Sequence, residues 1–118
     1  MNASDMKQRT KAFALRIIKT VESLPRSRTA ELLGKQLLRC GTSVGANYRA
    51  ACRSRSPADF ISRMGVVEEE ADETIYWMEL LVEAELAPAV ELEPLLKEAD
   101  ELVAITVASI NTARGRTR

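Results

Sequence analysis

The stretch GTSVGANYRAACRSRSPADF, residues 41–60, decides how the chain folds. Up to Arg53 it continues a helical stripe. At about 100° per residue, Leu33, Leu37, Cys40, Val44, Tyr48 and Ala51 fall on one face. Ser56-Pro57-Ala58-Asp59 then opens a new helix: serine suits the N-cap, proline the first turn, and aspartate the positive end of the helix dipole. Two long helices joined by so few residues run antiparallel. The expected spans are 29–53 and 57–85.

The first of these helices carries Gly34, Gly41 and Gly45, each weakening it by roughly 1 kcal/mol relative to alanine. Gly41 and Gly45 share an edge beside the apolar stripe, where a neighbouring backbone is expected to pack closely. Toward the N-terminus, Met6, Phe13, Ile17, Val21 and Leu24 keep helical spacing and predict a helix over 4–23, ended by Leu24-Pro25. Toward the C-terminus, Glu85-Leu86-Ala87-Pro88 turns the chain. Leu92, Leu95, Leu96, Ala99, Leu102, Val103, Thr106 and Ile110 then predict a helix over 91–113, with Pro94 in its first turn and Gly115 at its end. No strand pattern or repeat competes. A composition 46% hydrophobic and 29% charged supports one modest core. The prediction is a single all-α domain, residues 1–118, folded as an up-down-up-down four-helix bundle.

The third helix has two apolar stripes. Phe60, Met64, Val67, Ala71, Ile75, Met78 and Val82 form the main one, and Val66, Trp77, Leu80, Leu81 and Ala84 the other. A helix apolar on two sides packs on two sides. The second stripe is therefore a candidate oligomer interface, its alternative being cover by a loop or terminus.

Net charge is zero, but the halves differ. Residues 1–65 carry 13 Lys/Arg against 4 Asp/Glu, and residues 66–118 carry 4 against 13. On the second helix, Lys35, Arg39, Arg49 and Arg53 fill a strip about 80° wide, almost opposite the core stripe. Together with the tail arginines Arg114, Arg116 and Arg118 they are candidate phosphate ligands for RNA or a nucleoprotein. The competing reading pairs them with Glu68, Asp72, Glu79 and Glu83 of the third helix. Inward-facing Phe13, Tyr48 and Phe60 leave little aromatic surface for stacking single strands.

Other chemistries find little support. The chain has no histidine, which removes histidine triads and the usual general base. Cys40 and Cys52, twelve residues apart on one helix, lie about 18 Å apart, too far for a disulfide. The run Glu68–Glu73 offers oxygen ligands, but they point around the whole helix. No enzymatic activity, cofactor or metal is expected. With neither a signal-peptide core nor a membrane-length apolar run, the expected location is cytoplasmic, with no membrane partner.

Leu24-Pro25, Arg39, Ser43-Val44, Asn47, Ser56 and Asp59-Phe60 together resemble the family of 23S-rRNA intervening-sequence proteins, over about residues 5–113. The resemblance implies a left-handed bundle that assembles as a homopentamer, without enzymatic activity. The accessory protein of diversity-generating retroelements is similar and binds nucleic acid through a basic surface. Where the family has Ile-Ala-Glu-Gly, this chain has Tyr48-Arg49-Ala50-Ala51. The expected function is thus an oligomeric bundle that binds RNA or nucleoprotein through the basic strip. The alternative is an interaction scaffold whose basic and acidic faces pair between subunits.

Overall fold

The chain is described by a computed structural model covering residues 1–115. It forms four helices: α1 (Ala3–Glu22), α2 (Arg28–Ala51), α3 (Pro57–Glu83) and α4 (Ala89–Ala113). No strand occurs among the described residues. Three helices start on a polar cap. Asn2 accepts from the Asp5 amide at 2.8 Å, Ser27 from Ala30 at 3.1 Å and Ser56 from Asp59 at 3.1 Å. Each cap satisfies an amide that the helix leaves without an internal partner.

Each helix packs on its sequence neighbours, and α1 closes the bundle against α4. No diagonal pair meets, so the helices sit at the corners of a square. The 46 Å long axis is close to the roughly 40 Å length of α3, the longest helix. The core includes Met6, Phe13 and Ile17 from α1, Leu37 and Val44 from α2, Met64, Val67 and Met78 from α3, and Leu95, Leu102 and Ile110 from α4. Thr10, Thr74 and Thr106 are also fully buried. Their hydroxyls donate to the carbonyls of Met6, Glu70 and Leu102 one turn earlier, at 2.9, 2.7 and 2.7 Å. Burial therefore leaves none of these three threonine protons without an acceptor.

The glycines of α2 face α1. A Cβ on Gly41 would lie 2.8 Å from both Cγ1 and Cγ2 of Ile17. One on Gly45 would lie 3.1 Å from Thr10 Oγ1, and one on Gly34 3.0 Å from Leu24 Cδ1. The glycines thus bring the two backbones together. The α1–α4 side has the slightest packing of the four and is bridged by a charge clasp. Arg9 donates to both oxygens of Glu98, from Nε at 2.7 Å and from Nη2 at 2.9 Å, and from Nη2 to Glu101 at 2.5 Å.

Four expectations need correction. Helix α2 ends at Ala51, two residues before the expected Arg53, so Arg53 lies in the turn to α3 and not on the α2 face. Leu81 is fully buried within the monomer. It lies about 60° from Met78, inside the arc that α2 and α4 cover, and so belongs to the core and not to the outward stripe. Helix α4 starts at Ala89, with Pro88 at the N-cap, two residues before the expected Glu91. Pro94 therefore sits in the second turn, where it removes the bond its amide would make to the Val90 carbonyl. Helix α3 stops at Glu83. Leu86 N–H donates to the Leu81 carbonyl at 2.9 Å and Glu85 N–H to Val82 at 3.0 Å, the paired bonds of a Schellman cap. This puts Glu85 in the left-handed region at φ 60°, where a side chain is strained. Glu85→Gly is expected to raise the melting temperature, by about 1 kcal/mol of stability. Thermal unfolding followed by circular dichroism measures it.

Candidate nucleic-acid interface

The square places α1 and α2 along one side and α3 and α4 along the other. The first pair carries nine Lys/Arg and three Asp/Glu, a net +6, and the second carries two and thirteen, a net −11. The charge asymmetry along the chain thus becomes a basic side and an acidic side of one body. At the seam between α2 and α3 the two signs meet. Arg39 donates from Nη1 to Glu70 at 3.2 Å and pairs through Nη2 with Glu73. Ser43 donates to Glu70 Oε1 at 2.7 Å, and Asn47 Nδ2 to the Ser43 carbonyl at 2.8 Å. Trp77 Nε1 donates to Glu73 at 3.1 Å. Arg39 is therefore committed to holding α2 against α3.

Its partners are not the acids expected from the sequence. Glu68, Asp72, Glu79 and Glu83 lie on the other flank of α3, about 80° or more around the helix from Glu70 and Glu73. No ion pair joins that strip to α2 among the described residues. Lys35, Arg49 and Arg53 are exposed and enter no ion pair among the described residues. Arg114 is exposed at the C-cap of α4, and Arg116 and Arg118 lie outside the described residues. The structure adds Lys7 and Lys11 of α1, which line a groove with Arg49, Thr42 and Gly45 of α2. At the α2–α3 turn, Arg53, Arg55 and Arg63 line a second concavity with Asp59, which pairs with Arg63 at 3.1 Å.

These features can attract phosphate, and little else offers chemistry. Burial pushes the Cys40 thiol up, away from a reactive thiolate. Burial and the adjoining Cys52 push the Tyr48 phenol up to about 12. No group of side chains able to hold a metal ion occurs among the described residues. No helix among them is long and apolar enough to cross a membrane.

Residues 2–108 match the family model described as 23S rRNA-intervening sequence protein. The chain belongs to that family. A solved structure from Bacteroides thetaiotaomicron, described as a protein of unknown function from the S23 ribosomal protein family, is similar. It is 35% identical, with a TM-score of 0.83, and the match covers 88% of this chain and 96% of that one. No curated protein matches the chain.

In this family member, Arg39 and Ser43, two of the residues that carry the resemblance, bond across the α2–α3 seam, while Asn47 bonds back to Ser43 within α2. Of the second apolar stripe of α3, Val66 is 39% exposed, Ala84 is exposed, and Trp77 and Leu80 are part-buried. Beside them Tyr76 is 53% exposed and meets Trp77 edge-on, ring centroids 5.1 Å apart. With Leu81 in the core, four of the five expected interface residues remain at the surface. The sequence signal for Lys7 and Lys11 was their i,i+4 spacing beside Thr10 and Ala14, visible only once Gly45 is known to face Thr10.

Proposed function

We propose that this family member is a non-enzymatic, oligomeric helical bundle that binds RNA through the basic side formed by α1 and α2. The observation that carries the reading is the segregation of charge between the two sides, with Lys35, Arg49 and Arg53 exposed and outside the Arg39 clasp. Clustered cations gain affinity by releasing the counterions of a phosphate backbone. Cations on a helix face position that backbone and do not read bases. Among the described residues Tyr76 is the one exposed aromatic. It lies on α3 with the part-buried Trp77, whose indole is tied to Glu73 beside Arg39. Buried Phe13 and Tyr48 offer nothing for stacking. Structured RNA is therefore favoured over single strands. Self-association through Val66, Trp77, Leu80 and Ala84 would repeat the basic side and raise avidity.

The complementary acidic side supports a second reading, in which basic and acidic sides pair between subunits and form a scaffold without nucleic acid. Filter binding at low salt separates the two. Wild type is expected to retain a structured RNA. Arg49→Glu/Arg53→Glu is expected to lose that retention with its assembly state unchanged. Equal retention by both, or none by either, favours the scaffold.

A further inference from the structure

We infer that the groove between α1 and α2 is a phosphate seat, with Lys7 and Lys11 on one wall and Arg49 on the other. The inference rests on the RNA reading and deepens it, because these two lysines lie outside the α2 strip. The groove encloses about 220 Å³. Its three cations come from two helices, and no carboxylate lines it. Lys7, Lys11 and Arg49 enter no ion pair among the described residues.

The sequence makes this groove by pairing small residues across the seam. Thr10 and Gly45 meet so closely that an added Cβ would lie 3.1 Å from the threonine hydroxyl. The floor is thus formed by small side chains, while the long cationic ones rise from either edge. Lys7 and Lys11 lie one turn apart on the same flank of α1. Their ammonium groups and the Arg49 guanidinium can converge on one anion from two directions. Thr42 does not add a donor, since its hydroxyl donates to the Leu38 carbonyl at 2.7 Å. The ligand is a phosphate group held by charge from the sides, with the outward face of the groove open to a passing chain. A phosphodiester of an RNA backbone meets these terms, and so does free phosphate.

The test compares wild type, Lys7→Gln/Lys11→Gln, and the charge-matched Arg26→Gln/Lys97→Gln, whose residues lie outside the groove and outside both helices of the basic side. Structured-RNA affinity is measured over a salt series, and wild type is also titrated with inorganic phosphate, followed by the amide resonances of Gly45 and Ala46. The seat predicts that the groove pair weakens RNA binding and lowers the salt slope by roughly one to two, while the control slope stays near wild type. Phosphate-dependent shifts at Gly45 and Ala46, lost in the groove variant, support the seat even without RNA binding and identify free phosphate as its ligand. Equal slopes for the two variants, with no phosphate shifts, overturn the seat and leave the RNA reading standing. No RNA retention by wild type and no phosphate shift overturn both.

Discussion

Gly41→Leu is expected to lower stability by about 1–3 kcal/mol, net of the helix propensity gained, and the melting temperature by roughly 4–12 °C. Propensity alone predicts the reverse, since leaving glycine gains up to about 1 kcal/mol in a helix interior. Packing decides the sign. A single Cβ at this position would already lie 2.8 Å from two carbons of Ile17 and 3.2 Å from a third. Ile17 is fully buried and branched at that carbon, so it has no flexible end to swing aside. The helices must separate, which opens packing around Phe13 and Leu37. Gly65→Leu is the internal control, expected to keep or gain stability, because nothing lies within 4 Å of a Cβ built there. Chemical denaturation of the two variants measures both effects. A Gly41→Leu protein as stable as wild type would mean that α1 and α2 do not meet as described.

The second large effect concerns assembly. Val66→Lys is expected to convert the proposed oligomer to monomer while leaving helicity intact. Val66 is 39% exposed, so a lysine there costs the monomer little. In an interface built on Val66, Trp77, Leu80 and Ala84, the same lysine would be buried without a partner, at a cost of several kcal/mol. Sedimentation velocity at micromolar concentration reads the outcome. A monomeric wild type, or a Val66→Lys protein that sediments like wild type, removes this strip from the assembly.

Much of the architecture was legible because helix starts and stops are local chemistry. Ser56-Pro57 marks its boundary through a cap and a fixed φ, and the structure starts α3 at Pro57 as expected. Boundaries set by tertiary contact were less legible. The end of α3 depends on Glu85 tolerating a left-handed conformation, a position where glycine is the usual signal. Pro94 lies in the second turn of α4, which its sequence neighbours do not announce. Leu81 sits at the border of two apolar stripes, and a helical wheel cannot say how far α2 and α4 reach around α3.

The candidate site shows the same division. Lys35 and Arg49 could be placed on one face of α2 from spacing alone, whereas Arg53 lies past its end, in the turn to α3. Which acids they meet could not be, because Glu68 and Glu70 lie on opposite flanks of α3. The flank that turns toward α2 is fixed by the sense in which the helices pack around the square. That sense decides that Glu70 and Glu73 take Arg39 and leave the rest of the strip unclasped. It also brings Lys7 and Lys11 beside Arg49, across a seam that no single helix reveals.

The central claim is that the α1–α2 side binds a phosphate backbone. The most direct measurement is the affinity of wild type for a structured RNA across a salt series. Affinity is expected to fall linearly on logarithmic axes, with a slope near −0.9 for each phosphate neutralised on a duplex. Binding that is indifferent to salt, or no binding at the lowest salt, would contradict it.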